Sequence, residues 1–279
     1  MTAKSINVNG RLIDFSVPRV MAILNITPDS FFEGSRYNVD SQMITDKVGA
    51  LIEQGATFID IGGYSTRPNA ADVSLGEELD RVLPVIEAIS GAFPDVAMSI
   101  DTFRSQVARA AVRAGAGMIN DISGGNLDDE MFVTVAKLQV PYILMHSRGN
   151  PATMSQLNDY QDITLDVITE LQQKVYQLRQ LGVNDIIIDP GFGFAKNAKQ
   201  GFEILRNFTA FDIMDLPILV GISRKSMIWR TLNITANEAL NGTTALNMYA
   251  LMQGANILRV HDVREAVETV TLFEALKAK

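Results

Sequence analysis

From Pro18 onward the chain alternates short, almost wholly apolar segments with longer amphipathic ones, and it does so eight times. The apolar segments read VMAILNI, FIDIG, VAMSID, MINDI, PYILMH, DIIIDP, PILVGIS and NILRVH. Continuous apolar runs of this length mark strands buried on both faces, as in a parallel sheet. Between and after them, helices are predicted over 40–54, 75–90, 104–114, 128–138, 162–181, 198–209, 225–231, 236–253 and 263–277. Their apolar residues recur at spacings of three and four, as at Val107, Ala110, Ala111 and Ala114. Eight strand–helix units in about 260 residues predict an α/β fold, a single closed (β/α)8 TIM barrel, with an open doubly wound sheet as the rival. Ahead of them, INVNGRLIDF places apolar positions on both sides of Asn9-Gly10, a dipeptide suited to a two-residue turn. A hairpin is therefore expected at 5–16. The chain divides into an N-terminal β-hairpin extension, 1–17, and a barrel, 18–279, with the hairpin covering part of the barrel.

Composition narrows the function classes. Hydrophobic residues make up 47% and charged residues 20% of 279, the balance of a folded domain rather than a disordered or coiled-coil chain. No apolar run approaches the roughly 20 residues that cross a bilayer. MTAKSINVNG offers no secretory core, so a cytoplasmic protein without membrane partners is expected. With no cysteine, disulfides, thiolate metal sites and cysteine catalysis are excluded. A net charge of −8 argues against a broad nucleic-acid footprint, though not against a local basic cluster for a small anion.

In a (β/α)8 barrel the site lies at the C-terminal ends of the strands. Here the strands end on or near Asn25, Asp60, Asp101, Asn120, His146, Asp189, Ser223 and His261. One polar residue at such a place commonly caps a turn or helix. Asp60 before Gly62-Gly63, Asp101 before Thr102 and Asp189 before Pro190-Gly191 fit that reading as well as a functional one. His146 reads as a satisfied core histidine. Arg259 and His261, two apart on one strand, point the same way and need an anionic partner.

Four loops add chemistry. LNITPDSFFEGSRYN has the length and aromatics, Phe31 and Phe32, of a lid. GGYSTRPNA carries Arg67, whose fork suits phosphate or carboxylate. DPGFGFAKN could lay backbone against a flat ring, with Phe192 or Phe194 as a wall. GISRKSMI puts Arg224, Lys225 and Ser226 at a predicted helix start, where N–H groups favour anions. The mouth thus offers acceptors and an amide from Asp101, Asn120 and Asp189, and cations from Arg67, Lys225, Arg259 and His261. No Ser-His-Asp triad or H-E-x-x-H motif can be read, and two histidines are few for zinc. Mg2+ held mainly by substrate phosphates suits the residues better.

ILNITPDSF, GGYSTRP, SIDTFR, INDISGG, DPGFGFAKN, GISRKSM and RVHDV occur in this order. On these motifs the chain resembles the dihydropteroate synthases from Val20 to the final helix. The resemblance implies a (β/α)8 barrel, usually a homodimer. It implies condensation of 6-hydroxymethyl-7,8-dihydropterin diphosphate with para-aminobenzoate to 7,8-dihydropteroate and pyrophosphate, assisted by Mg2+ and blocked by sulfonamides. It places Asn25 at the metal and diphosphate, with Thr66, Arg67, Arg259 and His261 also on the diphosphate. It assigns Asp101, Asn120, Met145, Asp189, Gly193, Lys225 and Arg259 to the pterin. Phe31, Thr66, Pro68, Phe194, Lys225 and Ser226 would line the para-aminobenzoate pocket. Asp101, Lys225 and Arg67 are the expected catalytic set, on an SN1-like path without a protein nucleophile. Tyr64, where the family usually has an acid, and Phe32-Glu33 depart from the pattern. The alternatives are a methyltetrahydrofolate:corrinoid methyltransferase, which needs no diphosphate cluster, and a pterin-binding protein without turnover.

Overall fold

Asn9 and Gly10 both take positive φ, 52° and 82°, the geometry that a two-residue hairpin turn demands. They join β1 (Ser5–Val8) to β2 (Arg11–Asp14) in antiparallel register, Ser5 opposite Asp14 and Val8 opposite Arg11. The structure is a computed structural model, and it describes residues 4–26, 41–64, 73–150 and 153–277. The eight strands that follow are β3 (Arg19–Asn25), β4 (Phe58–Gly62), β5 (Ala97–Asp101), β6 (Met118–Asp121), β7 (Tyr142–Met145), β8 (Ile186–Asp189), β9 (Leu219–Val220) and β10 (Ile257–Val260). All neighbouring strands pair in parallel, in the order β8-β7-β6-β5-β4-β3-β10-β9. A parallel bridge between Ile188 and Ile218 closes the ring. The expected (β/α)8 barrel is present.

Side chains alternate along each strand, so every second residue faces the barrel axis. Each strand gives one residue to a buried floor: Met21, Phe58, Ala97, Met118, Ile143, Ile187, Leu219 and Ile257. Ile6, Val8, Ile13 and Phe15 of the hairpin join the same cluster. The extension therefore plugs the N-terminal end of the barrel with apolar side chains, each contributing about 1.5–3 kcal/mol on full burial. The other strand face packs on the helices α1 (Ser41–Glu53), α2 (Leu75–Ala92), α3 (Ser105–Ala114), α4 (Met131–Leu138), α5 (Ile163–Gln180), α6 (Ala198–Arg206), α7 (Ser226–Leu232), α8 (Leu240–Met252) and α9 (Val263–Lys277).

Three helices are shorter than predicted, each for a local reason. The helix expected from 128 starts at Met131, because Asp128 spends its carboxylate on the backbone N–H groups of Ser105 (2.7 Å) and Glu130 (3.0 Å). The one expected over 198–209 stops at Arg206 and gives way to a 3-10 segment, Phe208–Met214. The one expected from 236 begins with a separate 3-10 turn, Ala236–Glu238, closed by a reciprocal Thr235–Glu238 capping box.

Candidate active site

Two residues beyond the floor, the inward positions turn polar. Alternation places Asp60, Ser99, Asn120, Met145, Asp189, Gly221 and Arg259 at that level, and Asn25, Asp101, Ser223 and His261 one level higher. A continued apolar barrel would have filled this space with branched aliphatics. Instead Asp60, fully buried, collects three donors. Asn120 Nδ2 gives to its Oδ2 at 2.9 Å, Arg259 Nε to the same oxygen at 2.6 Å, and Ser99 Oγ to its Oδ1. The second arm of the Arg259 fork reaches Asp101 Oδ2 at 2.7 Å.

The energetics of this cluster are a contest between desolvation and pairing. Burial pushes the Asp101 carboxyl up to about 7, against the pull of Arg259 and with a smaller push from Asp60. Burial also works against the Arg259 cation, but Asp60 and Asp101 outweigh it and hold its pKa above the usual value. Across the mouth, burial raises Asp189 against the attraction of Lys225. Burial lowers Lys225 to about 8 against the attraction of Asp189. Asp189 Oδ1 accepts the Gly191 N–H at 2.7 Å. Lys225 Nζ donates to the Phe192 carbonyl and stands 4.5 Å from the centre of the Phe194 ring. Gly193 lies over the Lys225 stem, where an added Cβ would sit 3.4 Å from Cδ. Met145 packs beneath Gly191. Ser226 opens α7 beside Lys225.

At the upper level His261 is exposed, and Ser223 holds it. Ser223 Oγ accepts the His261 backbone N–H at 3.2 Å and lies 3.0 Å from Nδ1. Asn25 Oδ1 and Asp101 Oδ2 approach the same point above Gly62, 3.6 and 3.7 Å from where a Cβ would be. Among the described residues no group of three or more His, Cys, Asp or Glu side chains converges as a metal site. One amide oxygen beside one carboxylate suits a hard cation that takes most of its ligands from substrate phosphates and water.

Of the residues singled out in the sequence, Asp101, Asn120, Met145, Asp189, Gly193, Phe194, Lys225, Ser226 and Arg259 border one mouth, with Asn25 and His261 at its rim. Phe31, Thr66, Arg67 and Pro68 lie outside the described residues, as do Phe32-Glu33 and most of both loops that carry them. Two further residues singled out in the sequence belong elsewhere. Arg224 turns away, its fork on Asp262 at 2.7 and 2.9 Å. His146 faces outward between β7 and α5, bonded to Glu170 and Lys196. Tyr64 stacks edge-on with Phe103 (5.1 Å between centres), with the Arg104 guanidinium 5.4 Å from its own ring. Sequence reasoning left Asp60 between a turn cap and a functional residue, and gave Ser99 no role. The signal was present, since both interrupt apolar strands at positions facing inward, level with Asn120 and Arg259.

A family model described as "Pterin binding enzyme" matches residues 21–261. The dihydropteroate synthase of Escherichia coli K12 is 42% identical over 275 residues, covering 97% of this chain and 96% of that protein. The Yersinia pestis dihydropteroate synthase, solved with a sulfonamide drug, superposes with a TM-score of 0.89 at 39% identity over 98% of both chains. That of Xanthomonas albilineans, solved with 4-aminobenzoic acid, gives 0.91 at 36% identity over 100% of both.

Proposed function

The chain belongs to the pterin-binding enzymes, among the dihydropteroate synthases, and on that premise we propose that its barrel mouth joins 6-hydroxymethyl-7,8-dihydropterin diphosphate to para-aminobenzoate, releasing pyrophosphate. The observation that carries the reading is a single mouth in which Asp60, Asp101 and Asp189 are set against Arg259 and Lys225, with Asn120 among them. The flat, donor-rich edge of a dihydropterin fits between Asp189, Asn120 and Asp101, where buried carboxylates accept paired N–H groups. Lys225, the Gly191–Phe194 backbone and Met145, which packs against Gly191, would border the ring.

Charge counting supports a diphosphate site that reaches beyond these groups. Three carboxylates (Asp60, Asp101, Asp189) face two cations (Arg259, Lys225) inside the mouth, a balance of one negative charge when all are ionised. A diphosphate therefore needs further positive charge, for which the family resemblance offers His261, Arg67 and an Mg2+ that Asn25 would help to hold. Bound there, Mg2+ would neutralise charge on the leaving pyrophosphate. As the methylene C–O bond breaks, its electron pair leaves with pyrophosphate. The cation left on the methylene is delocalised into the dihydropterin, with the Asp101 carboxylate near enough to stabilise it electrostatically. The neutral amine of para-aminobenzoate forms the new C–N bond and then sheds one proton. Phe194, Lys225 and Ser226 would border the side from which it approaches, and the family resemblance adds Phe31, Thr66 and Pro68 to that set.

Pyrophosphate release should require both substrates together and fall sharply after chelation of divalent metal, returning on addition of Mg2+. Release with the pterin diphosphate alone, or full activity in chelator, would sink the respective parts of this reading. The corrinoid methyltransferase alternative is not favoured, since the relatives matched across nearly the whole chain are dihydropteroate synthases.

A homodimer is proposed on one feature of the surface. α8 and α9 pack together and leave Tyr249, Met252, Leu272 and Leu276 exposed, at up to 73%. Such an apolar stripe favours a homodimer across these helices. Light scattering should return the mass of two chains, and Leu276→Glu with Met252→Glu should return one; a monomeric native chain refutes it. No helix among the described residues is long and apolar enough to cross a membrane.

A further inference from the structure

Lys196 is buried just outside the mouth, 7% exposed, and the chemistry above gives it no task. Its ammonium lies 2.8 Å from His146 Nδ1, 3.0 Å from the Phe194 carbonyl oxygen, and 3.2 Å from the carbonyls of His146 and Gly191. Three donors are shared among four acceptors on two separate segments, the end of β7 and the loop after β8. Behind His146, Glu170 of α5 sits 3.0 Å from Nε2 and receives the Arg148 guanidinium. Arg148 in turn covers the Tyr160 ring at 3.9 Å, and the Tyr160 hydroxyl donates to the Ala195 carbonyl at 3.0 Å.

The loop wraps around this ammonium. Its backbone is left-handed at Gly191, Gly193 and Ala195 (φ 72°, 78° and 49°), and a Cβ on Gly191 would overlap the His146 carbonyl oxygen. The wrapping sorts the carbonyls between two lysines. Those of Gly191 and Phe194 turn outward to Lys196, while that of Phe192, between them, turns inward to Lys225. The Gly191 N–H meanwhile sits on Asp189.

Burial lowers Lys196 to about 7 and His146 to about 4. The imidazole is therefore neutral at pH 7, with Nδ1 accepting from the ammonium and Nε2–H donating to Glu170. An apolar side chain of the same length would fill this volume without the desolvation cost, and buried charges replaced in that way often leave a fold as stable as before. Stability alone is thus a weak reason for a lysine here.

We propose that Lys196 is a positioning residue for the reaction: through the Gly191 and Phe194 carbonyls it holds the loop in the shape that presents the Gly191 N–H to Asp189 and the Phe192 carbonyl to Lys225. The inference rests on the placement of the pterin between Asp189 and Lys225. It is tested with Lys196→Met and with Glu170→Gln, which does not touch Lys196 and reaches it through His146, through its own charge, and through Arg148 and Tyr160 at the Ala195 carbonyl. For each folded variant, well below its own melting temperature, kcat and both KM values are measured, together with the Kd of the pterin diphosphate alone. Lys196→Met should raise the KM and Kd for pterin diphosphate about 10-fold or more, the scale of a site misplaced by a fraction of an ångström. Glu170→Gln should raise the same constants by less. A folded Lys196→Met with unchanged constants overturns the proposal, as does a loss confined to kcat. Should Lys196→Met fail to fold, unchanged pterin diphosphate constants in Glu170→Gln overturn it instead. Absence of turnover in the native chain would count against the synthase reading alone, since the Kd comparison still tests the loop.

Discussion

Asp101→Asn should lower kcat/KM by about two orders of magnitude while leaving the fold intact. The carboxylate meets Arg259 at 2.7 Å, and in the proposed reaction it would stabilise the positive charge that develops during C–O cleavage. A charge-assisted contact is worth about 1.5–3 kcal/mol, and at the upper end its loss is roughly 10²-fold in rate. Asn keeps the size and one acceptor oxygen, so packing survives. It cannot neutralise a cation, and its NH2 opposes a donor-rich pterin edge. The pH dependence separates this from a steric effect. The native carboxyl titrates at about 7 rather than 3.8, so the free enzyme gains its anion, and with it kcat/KM, as pH rises through 7. The variant should lack that limb. Stability carries the opposite sign. A raised folded-state pKa gives stability that is complete below 3.8 and lost as pH rises through 7. The native protein should therefore lose ground to the variant in unfolding measurements between pH 4 and pH 8. Native-like kinetics, or an acid limb retained in the variant, would remove Asp101 from the reaction.

The barrel was legible because both of its faces leave a periodic trace. Apolar runs of four to seven residues and helices with three-and-four spacing need no tertiary information, and Asn9-Gly10 fixes the hairpin by backbone geometry alone. The site was legible where a residue sits at a strand end in a distinctive motif, as with Asp189, Lys225 and Arg259. It was obscure where a local role competes with the distant one. Asp60 before two glycines fits a turn cap, yet its carboxylate is taken by Asn120 and Arg259, residues 60 and 199 positions away. Lys196 follows Phe194 in a loop that reads as surface, and only the folded chain closes that loop around it. His146 shows the converse, since Met145 points inward and its neighbour must point out, a consequence of strand alternation available from the sequence.

Arg259→Ala should be the most damaging single change in the mouth, because it removes one cation from two carboxylates at once. Asp60 is fully buried and the Asp101 side chain is 15% exposed, so neither is rescued by water. An uncompensated buried charge costs about 3–5 kcal/mol, beyond the usual range of single substitutions. Asp101, whose carboxyl burial already holds up at about 7, can escape part of this by taking up a proton. Its contribution is then intact at acid pH and lost as pH rises, so the deficit against the native protein should be smallest near pH 4 and grow toward pH 8. Urea unfolding at the two pH values measures it, and a deficit independent of pH would show that the carboxylates do not depend on Arg259. Pyrophosphate binding should weaken in the same variant. Arg259→Lys separates the two effects: it restores a positive charge and with it much of the stability. A point charge cannot span Asp60 and Asp101 as the guanidinium fork does at 2.6 and 2.7 Å. Pyrophosphate affinity and turnover should therefore recover less than stability, and equal recovery of both would reduce the role of Arg259 to its charge alone.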